Sequence, residues 1–188
     1  MVEGLSPTLW RSARVLANAR RLRVLQALNQ SGRMSVSAVA ARCRLSMSNA
    51  TQILRALQAR GLLQARRTGV WVIYAPRVNP AVAHARPLAG ALRKALSVSQ
   101  DDYRPILAQL TAYTHPRRIA IVKTVARGRS TPQEVRTACR LSRPALSRHL
   151  RKLKRRGVLR EHGGILCVPA PSSPLASALL ALALAEPD

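Results

Sequence analysis

The densest chemistry in the sequence lies in the run SRPALSRHLRKLKRRGVL at residues 142–159, which carries Arg143, Arg148, Arg151, Lys152, Lys154, Arg155 and Arg156. A guanidinium donates from a planar fork and an ammonium donates from a point charge, and neither accepts. Such a run therefore serves anions, phosphates by charge and guanine edges by paired hydrogen bonds. Residues 46–67 have a different character: Met47, Ser48, Thr51 and Gln52 come first, then Arg55, Arg60, Arg66 and Arg67. A glutamine amide pairs bidentately with adenine, so both runs place base-reading groups ahead of cations.

The chain as a whole points to the same partner. Its 188 residues hold 32 Lys plus Arg against 7 Asp plus Glu, a formal net charge of +25, far beyond what solubility needs and suited to a polyanion. After Glu3 no acid occurs until Asp101, so residues 1–99 hold 16 basic residues and one acid (+15), and residues 100–188 hold 16 and six (+10). Both halves are independently basic, which fits two nucleic-acid-binding units better than one unit with an inert companion. The charges lie among short helical patterns rather than beside an apolar anchor, which disfavours a membrane surface as partner. The longest apolar tract, at residues 178–185, is far below the roughly 20 residues of a membrane helix.

Catalytic chemistry finds no footing. The few carboxylates do not pair at a useful spacing, there is no Gly-rich phosphate loop, and no nucleophile has a base and an orienter. Cys43, Cys139 and Cys167 are widely spaced and form no CxxC pair, so neither a disulfide framework nor a zinc ribbon is implied, and a reducing compartment is the natural setting. No cofactor, metal or enzymatic activity is expected. Trp10 and Trp71 are too few for a base-stacking platform, so the expected nucleic acid is double-stranded DNA.

What positions the two runs is an internal repeat. Residues 32–63 align without gaps on residues 128–159, at an offset of 96. Matches fall at Gly32/Gly128, Val39/Val135, Cys43/Cys139, Arg44/Arg140, Leu45/Leu141, Ser46/Ser142, Leu54/Leu150, Leu57/Leu153, Gly61/Gly157 and Leu63/Leu159. Each copy reads as helix, turn, helix, wing. Leu22, Leu25 and Leu28, like Ile119, Val122 and Val125, mark a first scaffold helix begun by Asn18 or His115. A short second helix covers residues 37–43 and 133–139. Ser46 and Ser142 are placed to cap a third, whose buried face carries Ala50, Ile53, Leu54 and Leu57 in one copy and Leu146, His149, Leu150 and Leu153 in the other. Gly61 and Gly157 stop these helices at the position following the C-cap. Hairpins follow at residues 62–74, turning at Thr68 and Gly69, and at 158–168, turning at Gly163 and Gly164. Outer helices are expected at residues 7–17, 80–96, 102–113 and 174–185, with a linker at 97–101. The expected fold is mainly α with small β-hairpin wings: two tandem winged helix-turn-helix domains, 1–99 and 100–188.

Residues 142–159 resemble the recognition helix and following glycine of ArsR-type repressors, and THPRRIAIV at 114–122 and LANARRLRVL at 16–25 resemble that family's first conserved helix. The resemblance covers nearly the whole chain as two copies, more specifically in the second. It implies a prokaryotic, cytoplasmic transcription regulator that binds DNA through the third helix and normally forms a homodimer through its outer helices. Here the exact duplication and short linker suggest that the pairing occurs within one chain, so the expected state is a monomeric pseudo-dimer or a homodimer. Many members sense metals through two cysteines in the second helix. Ser35 and Ser37, or Thr131 and Gln133, stand in those places; another site of the family lies on the last helix, where residues 80–96 offer only His84 and the C-terminal helix only Glu186 near its end.

The first turns of a recognition helix reach base edges and later turns meet phosphates. Base contact is accordingly expected from Met47, Ser48, Thr51, Gln52, Arg143, Pro144, Ser147 and Arg148, and phosphate contact from Arg55, Arg60, Arg66, Arg67, Arg151, Lys152, Lys154, Arg155 and Arg156. Cations near a helix C-terminus also favour its dipole, so part of that second set has a structural reason to be there. The expected function is that of a sequence-specific, nucleoid-associated regulator, a repressor, reading a bipartite site. The alternatives are an architectural, largely non-specific DNA binder and a protein-interaction module docking through the apolar C-terminal helix.

Overall fold

The structure is a computed structural model and describes residues 7–128 and 130–187. The outer ends of the two expected units, residues 1–6 and 188, lie outside the described residues. In the first half α1 (Leu9–Leu16), α2 (Ala19–Ser31), β1 (Met34–Ser35), α3 (Val36–Cys43), α4 (Met47–Gln58), β2 (Gln64–Thr68), β3 (Trp71–Ala75) and α5 (Ala85–Ser97) follow in order. In the second half come α6 (Arg104–Ala112), α7 (Pro116–Ala126), α8 (Pro132–Ala138), α9 (Arg143–Arg155), β4 (Arg160–His162), β5 (Ile165–Cys167) and α10 (Pro174–Ala185). The fold is mainly helical, with two winged helix-turn-helix units in tandem.

The scaffold helices start where side chains replace missing backbone partners. Asn18 Oδ1 accepts from Arg21 N at 3.2 Å, and His115 Nδ1 accepts from Arg117 N at 3.1 Å. The end of the preceding helix is tied down by the same device twice. Arg21 Nη1 donates to Val15 O at 2.9 Å; Arg118, buried, donates to Ala112 O at 2.6 Å and Thr111 O at 3.0 Å. Ser35 Oγ caps α3 by accepting from Ala38 N, and Thr131 with Glu134 forms a full capping box on α8.

The first sheet has three antiparallel strands in the order β1-β3-β2, one more than the hairpin expected. Met34 pairs with Tyr74 and Ser35 with Ile73. In the second unit the corresponding contact is a single bridge, with Ser130 and Leu166 exchanging hydrogen bonds of 2.8 and 3.4 Å. The first wing turns at Gly69 and Val70 rather than Thr68 and Gly69, because Thr68 is already paired with Trp71. Gly163 and Gly164, at φ 55° and 76°, join β4 to β5 as expected of a type I′ turn. α5 begins at Ala85, not at residue 80. Asn79 N donates to Gly61 O at 2.8 Å and Asn79 Oδ1 accepts from Ala81 N, which holds this segment as a turn.

The two units share one hydrophobic core. α5 packs along α10, and α1 packs against α6. Each of these helices therefore meets its own counterpart in the repeat, the self-complementary arrangement of a twofold interface. Leu88, Leu92 and Leu96 on α5 and Leu175, Leu179 and Ala183 on α10 are buried there. Polar clasps close the seam at both ends. The Glu186 carboxylate accepts from Leu9 N, and the Tyr103 hydroxyl donates to Gln26 Oε1. Burial, with Asp101 beside it, pushes the Tyr103 phenol up to about 12.

Candidate nucleic-acid interface

The same sharp turn leads into α4 and α9. Arg44, at φ 52°, and Arg140, at φ 50°, take the left-handed conformation that glycine usually supplies. Leu45 N then donates to Ala40 O at 2.9 Å and Leu141 N to Arg136 O at 3.0 Å, closing the turn. Ser46 Oγ accepts from Asn49 N at 3.2 Å and Ser142 Oγ from Ala145 N at 3.4 Å, so both expected caps are in place.

With the entry fixed, the helix period decides which side chains face out. α4 buries Ala50, Ile53, Leu54 and Leu57, and α9 buries Leu146, Leu150 and Leu153. His149, expected on that face, is half-buried against His115. Met47, Ser48 and Gln52 are exposed on α4, and Arg143, Pro144, Ser147 and Arg148 on α9. Thr51 is half-buried and donates its hydroxyl to Met47 O at 2.8 Å, which leaves it only as an acceptor.

The cations divide less uniformly than their sequence positions suggest. Arg55, Arg66 and Arg67 are exposed in the first unit, and Arg151, Lys152 and Arg155 in the second. Partial burial, then Arg118, Arg156 and Arg155 around it, lowers the Lys152 ammonium from its ordinary value. Lys154 is held by an ion pair, 2.6 Å from Glu161 Oε2 on the wing. Arg60 and Arg156 differ from the rest: both are half-buried, each with Nε shielded from solvent. Arg60 lies close enough to His84 at the start of α5 to lower the pKa of that ring, after burial. Arg156 lines a small cleft with Gln109, Tyr113 and Val168. Both arginines are thus packed toward the outer-helix side, because each stands at the end of its helix, just before the glycine that turns the chain.

Gly157 does follow the C-cap of α9, whereas Gly61 lies one residue further beyond α4 than expected; both have φ 70°. Arg44 and Arg140, matched in the repeat but not among the expected contact residues, are exposed, each two residues before a capping serine. Arg33 and Arg77 are exposed cations outside the expected set as well. Arg33, Arg66, Thr68 and Arg77 line a groove along the first wing. That groove shares Gln64 and Ala65 with a second one lined by Arg55 and Gln58 of α4. The outer end of α4 and the wing therefore form one continuous basic surface.

The serines and threonine that stand where metal-sensing cysteines would be are occupied in capping: Ser35 Oγ lies 2.9 Å from Ser37 Oγ, and Thr131 belongs to the capping box. Among the described residues no group of three or more His, Cys, Asp or Glu side chains could hold a metal ion. Cys43 is buried, which pushes its thiol pKa up despite Arg23 and Arg42 nearby. No helix among the described residues is long and apolar enough to cross a membrane.

A family profile described as a helix-turn-helix domain matches residues 16–64 and again residues 113–162. No curated protein matches the sequence. The two matched stretches begin at the ends of α1 and α6, just before the scaffold helices α2 and α7, run through the turn and the outward helices, and end in the wings. Together they cover more than half of the 188 residues, so the chain belongs to the helix-turn-helix domain family and carries that domain twice.

Proposed function

We propose that the chain is an ArsR-like, sequence-specific transcription regulator, a repressor, that reads a bipartite double-stranded DNA site as a monomeric pseudo-dimer. Its units are residues 1–99 and 100–188, and it acts in the cytoplasm at the nucleoid, without catalysis. The observation that carries this reading is the pairing of α1 with α6 and α5 with α10, which presents two non-identical outward helices from one body. An operator mirrors the symmetry of the protein that reads it. Because α4 offers Met47, Ser48 and Gln52 where α9 offers Arg143, Pro144 and Arg148, the site is asymmetric, with the G·C-richer half under α9. Half-site centres lie about one helical turn, roughly 34–36 Å, or a multiple apart.

The test is selection from a randomised duplex library at two salt concentrations. A non-palindromic bipartite motif that survives the higher salt supports the proposal; a perfect palindrome sinks the asymmetric part of it. The net charge of +25 favours one other reading, an architectural binder. Retention without a motif, lost as salt rises, would establish that reading instead.

A further inference from the structure

We infer that the first wing is an apolar wedge that enters the DNA minor groove and kinks the duplex at one half-site only. This inference rests on the DNA-binding reading above. Among the described residues six large apolar side chains are exposed, and three of them are consecutive at the tip of this hairpin: Val70 at 83%, Trp71 at 58% and Val72 at 39%. Scattered exposed apolar residues are ordinary, but three together at a projecting tip contribute nothing to the core and mark a surface that something covers.

Charge identifies the occupant. Thr68 pairs with Trp71, Arg67 with Val72 and Arg66 with Ile73, so each face of the hairpin carries an arginine beside the apolar tip. Residues directly opposite on paired strands share a face, which sets Trp71 in line with Arg66 and Val72 with Arg67. Arg67 also braces the turn, its Nε donating to Gly69 O at 3.2 Å. The groove below the tip adds Arg33 and Arg77, and no acid occurs between Glu3 and Asp101. An apolar point flanked by cations on both faces fits base steps between two phosphate backbones, which is how minor-groove wedges unstack and bend DNA.

Reach separates the two wings. Tyr74 is the last buried residue of β3, and Trp71 lies three residues further out, about 10 Å at the rise of a strand. The minor groove is about 7.5 Å deep, so Val70 can reach its floor. In the second unit Leu166 is buried and a single strand residue, Ile165, lies beyond it, about 3 Å of reach. The tip there is Gly163 and Gly164, with no side chain to insert.

The experiment uses the full chain and a duplex of about 30 base pairs, drawn from the retained fraction of the selection and labelled with a dye pair at its two ends. Energy transfer between the dyes reads bending and anisotropy reads affinity. The Val70→Ser/Trp71→Ser variant is expected to bind within about tenfold of wild type while losing most of the rise in transfer. Arg143→Ala/Arg148→Ala is expected to lose affinity and sequence preference instead. With Trp10→Phe, Trp71 is the sole tryptophan, and DNA should quench its emission and shield it from acrylamide several-fold. Equal bending by the tip variant, or a Trp71 as accessible in the complex as in the free protein, overturns the wedge and leaves the regulator reading intact. A Trp71 signal that changes with protein concentration without DNA overturns it in favour of a second copy as the occupant. If the wild-type chain retains no duplex at all, the DNA-binding reading fails together with the wedge.

Discussion

His149 of α9 lies against His115, the N-cap of α7, with ring centroids 4.9 Å apart and planes tilted by 50°. Both rings sit in a field of cations. Burial is the main cause lowering the His115 pKa, followed by Arg118, Arg117 and Arg14; for His149 it is burial, then His115, Arg118, Arg148 and Arg117. His84, hydrogen-bonded to Ser12 Oγ at 2.7 Å, is lowered by burial and Arg60.

The direction of these shifts fixes a pH dependence. A histidine whose folded pKa lies below its unfolded value takes up its proton first in the unfolded chain. Stability is therefore undiminished above the ordinary value near 6.5 and is lost as pH falls below it toward the folded pKa. The midpoint of thermal unfolding is expected to fall between about pH 7 and pH 5, before most carboxylates titrate. His149→Ile, which installs the residue the first unit has at Ile53, is expected to flatten that profile. An equally steep profile in the variant would show that the His115–His149 contact is not responsible.

Two equivalent glycines are expected to differ in their tolerance of alanine. Gly61 and Gly157 both have φ 70°, which strains any side chain. A Cβ on Gly157 meets open space, whereas one on Gly61 would stand 2.8 Å from Val82 Cγ2 and 2.9 Å from Val82 Cβ. Gly157→Ala is expected to cost about 1 kcal/mol, the backbone strain alone. Gly61→Ala adds overpacking and is expected to cost about 2–4 kcal/mol. Chemical denaturation of both variants checks the order; equal losses would mean that the segment at residues 79–84 yields freely.

Because the halves share one core, damage to either is felt by both. Leu179 on α10 is fully buried in the helix that packs along α5. Leu179→Ala is expected to destabilise the chain by about 2–5 kcal/mol while calorimetry still shows one transition. A transition that splits in two, with the first unit unaffected, would mean that the seam is weaker than either unit.

Much of this architecture is legible in the sequence because local rules dominate it. Ser46, Ser142, Asn18 and His115 cap the helices they were expected to cap, since capping needs only one side chain and the turn that follows it. β1 was not legible: two residues carry no alternation, and Met34 and Ser35 become a strand only through Tyr74 and Ile73 some forty positions away. The inward packing of Arg60 and Arg156 was hidden for a related reason. Sequence places them beside outward cations, and only the packed outer helices decide where a long side chain at a helix end will lie. The length difference between the wings is written in the sequence. What it means for reach depends on where burial stops, at Tyr74 and Leu166.

The wings differ in charge as well as length. Lys154 at the end of α9 is paired with Glu161 on β4, while the equivalent positions in the first unit are Gln58 and Ala65. The second unit thus ties up one outward cation with its own wing. Glu161→Gln is expected to change stability by no more than about 0.5 kcal/mol, since the pair is partly exposed. It frees Lys154 for a phosphate, so the slope of log affinity against log salt should steepen by up to about 0.9, with affinity rising alike on all sequences. The titration is run on one selected duplex and one unrelated duplex. A gain confined to the selected duplex would mean that Glu161 shapes base reading, and an unchanged slope would mean that Lys154 lies off the phosphate path.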